Sequence, residues 1–280
     1  MREVTREAYA KINLFLRVLG VRQDGYHDLE SLIVPISLSD TVTCREAARL
    51  KLSVSGGEPS LSEGPDNLAV VAALALADES GSLDGADIEL EKRIPVAAGL
   101  GGGSADAAAV LSALNELWAC GLSQGKLVEL AAQIGSDVPA TLVGKPVLVS
   151  GRGEHVTPAE VPEMWWVVVP APFHIRTPDA FRWWDEEGGS TGPDPARLVS
   201  LLASGDLLSA TPLLFNDLEG PVFARHREVA ETKWRLLEAG AIAAIMCGSG
   251  PTVAGLSRSE AEAKDVASRF DGAHVANTRR

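Results

Sequence analysis

Hydrophobic positions near the start of the chain recur at every second residue. In residues 10–19 (AKINLFLRVL), Ile12, Leu14, Leu16 and Val18 fall on one side, which predicts a half-buried strand. Gln23-Asp24-Gly25 is turn chemistry, and 29–38 reads as a second strand. A short strand over 50–54 leads into a Gly/Pro/Ser loop, after which the period changes. Residues 66–78 (DNLAVVAALALAD) predict a helix with Asp66 or Asn67 as its N-cap. A strand over 88–93 follows and stops at Pro95. The clearest helical spacing comes next, through Ala107, Val110, Leu111, Leu114, Leu117 and Trp118. That helix is expected directly after Gly99-Leu100-Gly101-Gly102-Gly103-Ser104. Another, capped by Ser123, is expected to bury Leu127, Leu130, Ala131 and Ile134 and to end at Gly135.

The second half reads as a different unit. Residues 165–169 predict a buried strand, 186–195 a disordered surface loop, and 195–202 and 221–239 helices. Two short strands flank a turn at Gly248, then a helix over 259–270 and a last strand near 274–276. Strand, helices, paired strands, helix, strand suggests a split βαβ, ferredoxin-like arrangement. The class is α+β, with expected domains 1–155 and 156–280.

Composition narrows the function. Of 280 residues 46% are hydrophobic and 22% charged, as in a folded globular protein. A net charge of −13 argues against binding a nucleic-acid polymer, which demands counter-charge for its phosphates. The three cysteines (44, 120, 247) are too widely spaced for a disulfide framework or a cysteine-based zinc site. No apolar run follows the basic residues of MREVTREAYAKINL, so no signal peptide is expected. Residues 239–257 carry no charge, but Gly248-Ser249-Gly250-Pro251 in their middle suits two buried strands better than a membrane span. The expectation is a cytoplasmic protein that does not bind membranes.

Glycine is the compositional excess, 27 residues against an average near 7%. Four glycines lie within 99–103, directly ahead of the strongest helix. Such a loop can turn its N–H groups inward, and the helix N-terminus adds partial positive charge, so a polyphosphate is the natural occupant. Ser104 can offer a hydroxyl to a phosphate or to magnesium, and Lys92 and Arg93 lie just upstream. The segment is not a Walker A loop, since no Gly-Lys-Ser/Thr follows. It misses the dinucleotide fingerprint because Pro95 interrupts the strand and no acidic ribose partner is evident. Three further segments keep two readings each. Asp137 before Val138-Pro139 is either a helix N-cap or a carboxylate reaching a ligand. Lys11 and Asn13 share a strand face and are either its polar side or functional. Residues 246–252 (MCGSGPT) form a tight hairpin or a second glycine turn at a site.

Taken in order, AKINL, DGYH, GLGGGSADAA, GSDVP and CGSGPT resemble the GHMP kinase superfamily, over residues 9 to about 256. DGYH and GSDVP point to its branch acting on a diphosphocytidyl sugar alcohol. The resemblance implies a two-domain GHMP kinase fold, with an N-terminal ribosomal-protein-S5-like domain and a C-terminal ferredoxin-like domain. It implies ATP-dependent phosphorylation of the 2-hydroxyl of 4-diphosphocytidyl-2-C-methyl-D-erythritol, with Mg2+, by a monomer or homodimer. Carried over by position, Asp137 is the general base and Lys11 the lysine that lowers the hydroxyl pKa. Asn13 orients the sugar alcohol, Tyr26 and Phe181 stack on cytosine, and His27 hydrogen-bonds the base. Gly99, Leu100, Gly101, Gly102, Gly103 and Ser104 surround the ATP phosphates, with Asn67, Leu68 and Lys92 on the nucleotide side. Tyr9 stands in place of a usual proline, Ala105 in place of a second loop serine, and Cys247 in place of a serine. A GHMP kinase for homoserine, mevalonate or a sugar, and a non-catalytic nucleotide-binding regulator, are the alternatives.

Overall fold

The computed structural model describes residues 2–57, 61–82, 84–188 and 192–280. The chain folds into two compact units, one of Met1–Ala10, Ser39–Val96 and Gly101–Gly144, the other of Lys11–Leu38, Ala97–Leu100 and Lys145–Arg280. Two long strands, β1 (Glu3–Val21) and β2 (His27–Ala47), run through both. Both exceed their expected lengths. Ahead of residue 10 the inward positions of β1 are small (Ala8) or isolated (Val4), which weakens the alternation. From Ala10 to Leu16 every residue is buried, on both faces.

In the first unit, β3 (Lys51–Gly56), α1 (Leu68–Ser80), β4 (Gly85–Lys92), α2 (Gly102–Leu117), α3 (Gln124–Ile134) and α4 (Val138–Val143) follow in order. The far half of β2 pairs antiparallel with β4, from Thr41 opposite Glu91 to Ala47 opposite Gly85, and β3 pairs parallel with β4. Val42, Cys44, Ile88 and Leu90 of the strands share a core with Leu76 of α1 and Val110, Leu111 and Leu114 of α2. Each such leucine contributes about 1.5–3 kcal/mol by leaving water. The buried alanines 105, 107, 108, 109 and 113 keep α2 slender where it packs. Asn67 caps α1 by accepting from the Ala69 amide (2.9 Å), and Ser123 caps α3 through the Lys126 amide.

The second unit contains β5 (Val147–Gly151), β6 (His155–Pro158), β7 (Trp165–Val169), α5 (Thr177–Glu186), α6 (Pro195–Ala203), α7 (Leu207–Ala210), β8 (Phe215–Asn216), α8 (Glu219–Arg225), α9 (Arg227–Glu238), β9 (Ala243–Met246), β10 (Val253–Ser257), α10 (Glu260–Ala267) and β11 (His274–Asn277). The near half of β2 pairs with β5, Leu29 opposite Gly151, and β1 runs parallel to β8, Phe15 opposite Phe215. A separate antiparallel sheet has the order β11-β7-β10-β9. With α9 and α10 in the connections, that order is the expected split βαβ arrangement. Val167, Val169, Leu236, Val253, Val266 and Phe270 fill its core.

Some expectations change in detail. The helix over 221–239 is two helices, because His226 (φ −130°, ψ 78°) leaves helical geometry where its ring stacks on Phe173 at 5.1 Å. The helix after the glycine loop begins at Gly102, so Gly102, Gly103 and Ser104 form its first turn. Of the loop expected over 186–195, Glu186 closes α5 and Pro195 opens α6, while 189–191 lie outside the described residues. The expected boundary at residue 155 falls at the start of β6, within the second unit. Among the described residues, no helix is long and apolar enough to cross a membrane.

Candidate active site

In the first unit, the glycine turn that opens α2 is held from several sides. Gly101 precedes the helix at φ +70° and no side chain caps it, so the first amides of α2 are not claimed by a capping group. A Cβ on Gly103 would lie 3.7 Å from Leu68, at the start of α1. Asn67 is engaged at both ends, its Nδ2 donating to the Ser62 carbonyl (2.7 Å) while its Oδ1 caps α1. Thr141 Oγ1 of α4 lies within hydrogen-bond reach of the carbonyls of Val138 (3.0 Å), Asp137 (3.1 Å) and Ser104 (3.2 Å), the last in the first turn of α2. Asp137 stands at the head of α4 in αR geometry and makes no capping bond with its side chain. Of its two sequence readings, the capping role is therefore the one its geometry does not adopt.

Lys92 departs most from a simple expectation. Its ammonium does not stand as loose positive charge beside the loop. It is buried between the carboxylates of Asp40 and Asp106, bonding Oδ2 of each. Asp40 Oδ1 accepts the amides of Arg93 (2.6 Å) and Ile94 (2.8 Å), where β4 gives way to the loop. Asp106 lies in the second turn of α2, and its Oδ1 is buried with no hydrogen-bond partner among the described residues. Burial pushes the Asp106 carboxyl up to about 7, with Lys92 pulling against it and Asp40 pushing with it. For Lys92, burial works downward, but the two carboxylates outweigh it and hold the ammonium above the ordinary lysine range. The triad thus links the strand entering the loop to the helix leaving it.

In the second unit, Lys11 and Asn13 are the buried face of β1 and not a solvated polar side, at 4% and 2% exposure. Lys11 Nζ donates to Asn13 Oδ1 (2.9 Å) and to the Gly99 carbonyl (3.0 Å), and its backbone N–H donates to the Leu100 carbonyl (2.9 Å). The second glycine turn closes on the same place. A Cβ on Gly248 would come within 2.9 Å of Lys11 Nζ, at φ +53°. One on Gly99 would sit 2.0 Å from the Cys247 carbonyl, at φ +76°. Only glycine meets both demands at these two positions. Asn216 Nδ2 donates to the Met246 and Gly248 carbonyls (2.8 Å each) and fixes the turn.

An aromatic cluster follows along α5. Thr177 and Ser249 share a hydroxyl hydrogen bond (3.0 Å), which joins the head of α5 to the glycine turn. The His27 ring packs on Phe181 (centroids 4.7 Å) and meets Trp184 edge-on (5.9 Å). Its Nε2 lies 2.9 Å from Asp185 Oδ1; a carboxylate only accepts, so Nε2 carries a proton. Tyr26 is half exposed, with Arg152 stacked on its ring at 4.5 Å. The base-stacking set expected from the sequence is thus divided, with Phe181 packed on His27 and Tyr26 under Arg152.

Comparison with known proteins places this geometry. The description "GHMP kinases N terminal domain" matches residues 67–145, and "GHMP kinases C terminal" matches 198–277. A 4-diphosphocytidyl-2-C-methyl-D-erythritol kinase of Symbiobacterium thermophilum is 43% identical over 252 residues, 89% of each chain. The chain belongs to the GHMP kinases. The kinase is also 43% identical over 268 residues to the same-named protein of Pelotomaculum thermopropionicum, covering 95% of this chain and 93% of that one. A crystal structure of 4-(cytidine 5'-diphospho)-2C-methyl-D-erythritol kinase superposes with a TM-score of 0.83 at 35% identity, over 99% of this chain and all of that one. The two-domain fold inferred from the motifs is the fold of this family.

Sequence reasoning passed over Ser31, Asp40, Asp106, Asp185 and Asn216 of the kinase. Asp106 carried a legible signal, being the one carboxylate among the buried residues 105–111 of α2. Asp40 did not, since its partner Lys92 is 52 residues away.

Proposed function

We propose that this kinase transfers the γ-phosphoryl group of ATP to the 2-hydroxyl of 4-diphosphocytidyl-2-C-methyl-D-erythritol, giving ADP and the 2-phosphate. Relatives that are 43% identical across nearly the whole chain and carry that enzyme's name are its main support. The ring cluster of His27, Phe181 and Trp184 suits a flat base and adds to it.

Phosphoryl transfer asks for alignment and charge neutralisation more than for covalent chemistry. The uncapped amides of α2, from Gly102 to Ser104, supply the positive end of a helix to the phosphates. Gly99, Leu100 and Gly101 shape the turn, and Asn67 and Leu68 border the nucleotide. Lys92 serves that side by holding Asp106 and the first turns of α2. Asp137 takes the proton from the attacking hydroxyl as general base. Lys11 stabilises the developing oxyanion, Asn13 orients the sugar alcohol, and His27, Tyr26 and Phe181 hold the base.

Magnesium has a limited place. Among the described residues, no group of three or more His, Cys, Asp or Glu can hold a metal, and Asp106 is committed to Lys92. The residues present suit a cation held mainly by the nucleotide phosphates and not by a protein cage. Ser104 offers one hydroxyl to Mg2+ carried by the ATP phosphates, the usual manner for this cation.

A coupled ADP-release assay tests the proposal. Turnover is expected with the diphosphocytidyl substrate and not with homoserine or mevalonate. Folded protein that releases no ADP, or that prefers either of those alcohols, overturns it.

A further inference from the structure

A line of hydrogen bonds behind Lys11 has only one self-consistent arrangement of protons. Ser31 Oγ lies 2.6 Å from the Phe15 carbonyl, a group that only accepts, so the single hydroxyl proton points there. The Ser31 oxygen can then only accept from its other neighbour, Asn13, 2.8 Å away. Asn13 must present Nδ2 to Ser31 and Oδ1 to the opposite side. On that side stands the Lys11 ammonium, a pure donor, 2.9 Å from Oδ1. A flipped amide would set N–H groups against an ammonium at one end and strand an oxygen against a committed hydroxyl at the other. All three side chains are buried, Ser31 at 1%, so water is not there to repair a mismatch.

We infer that Ser31 is a positioning residue for the phosphoryl-transfer step, fixing the Asn13 amide so that its oxygen anchors the Lys11 ammonium. The inference rests on the role of Lys11 proposed above. Ser31 touches no substrate in this scheme and acts through two intervening side chains. Without its hydroxyl, Asn13 Nδ2 loses its Ser31 acceptor, the amide is free to turn, and the Asn13 oxygen no longer helps to aim Lys11. Small displacements of a group that acts on the reacting atoms cost rate out of proportion to their size.

The test combines kinetics with a substrate-free measurement. Ser31→Ala is expected to lower kcat about 10- to 100-fold with KM for ATP within about 3-fold, and Ser31→Thr, which keeps the hydroxyl, to remain within about 3-fold of wild type. In a Lys11→Met background the same Ser31→Ala change should cost nothing further, because its effect passes through Lys11. A merely structural serine would instead cost the same factor in both backgrounds. In parallel, the Lys11 ammonium is followed by proton–nitrogen NMR on the free enzyme, assigned by its loss in Lys11→Met. Its protons should exchange at least about tenfold faster in Ser31→Ala and not in Ser31→Thr. Full kcat in Ser31→Ala, additive losses, or an unchanged ammonium signal overturns the inference. If wild-type protein releases no ADP, the proposed reaction fails, and the NMR comparison still decides the role of Ser31.

Discussion

Replacing Lys92 by methionine is the most informative single perturbation of the first unit. The change keeps length and apolar bulk and removes only the charge. Asp40 is fully buried and Asp106 nearly so, and both bond Lys92. With both carboxylates ionised the wild-type triad carries one net negative charge; the variant would carry two with no cation between them. Breaking a buried ion pair from one side costs about 3–5 kcal/mol. Asp40 keeps the amides of Arg93 and Ile94, whereas burial already pushes Asp106 up, so Asp106 is the group that yields. In the wild type its carboxyl titrates near 7, far above the unfolded value of 3.8. A folded pKa raised in this way means that the folded state binds the extra proton. Stability therefore falls as pH rises toward 7 and levels off above it. Without Lys92 the Asp106 carboxyl rises further, and the variant keeps losing stability above pH 7 where the wild type is flat. The gap should widen by up to about 1.4 kcal/mol per pH unit. Urea denaturation followed by circular dichroism at pH 7 and pH 9 measures this, with hydrogen exchange at the Arg93 and Ile94 amides as the local readout. Asp106→Asn, which leaves a neutral Lys92–Asp40 pair, should cost less and abolish the slope. A loss below about 1 kcal/mol in Lys92→Met, or one equal at both pH values, refutes the reasoning.

Further outcomes follow from the same geometry. Asp137→Asn should fold with wild-type circular dichroism, since its side chain caps no helix, yet lose kcat by about 10²–10⁴-fold, read by ADP release; near-normal turnover removes it as the base. Gly99→Ala places a methyl group 2.0 Å from a backbone oxygen at positive φ, and should lower the urea midpoint by the equivalent of at least about 2 kcal/mol and reduce kcat by displacing the carbonyl that holds Lys11. A thiol reagent at pH 8 should label Cys120 in the native protein and all three cysteines after unfolding, because burial pushes Cys44 and Cys247 up to about 12; rapid native labelling of either contradicts that.

Much of the fold could be read from local chemistry. The caps at Asn67 and Ser123, the stop at Pro95, and the strand-turn-strand around Gly248 all involve residues within a few positions of one another. What local reading missed depends on distant partners. His226 looked like the middle of a helix, yet it takes non-helical angles beside the rings of Phe173 and Trp183. Lys92 read as free positive charge until Asp40 came in from β2. The motifs named most of the candidate residues, but they did not reveal what holds those residues in place. Ser31 and Asn216 lie in segments with no unusual composition; Ser31 offers a lone pair to Asn13, and Asn216 gives its N–H groups to the Met246 and Gly248 carbonyls.

The passage of β1 and β2 through both units also sets an order of events in time. Residues 11–38 leave the ribosome early, yet their partners are made late. Leu29–Ile33 pair with Val147–Gly151, Phe15 and Leu16 with Phe215 and Asn216, and Ile36 bridges to Thr278. The first unit has all its residues once Gly144 is made and Leu29–Ile33 gain their partners in the next few, while Phe15 and Leu16 wait for Phe215 and Asn216, and Ile36 for Thr278. At about 5–20 residues per second that wait lasts several seconds or more. The strand that carries Lys11 and Asn13 is thus made long before the segment that pairs with it, and is a portion of this chain in need of protection during synthesis.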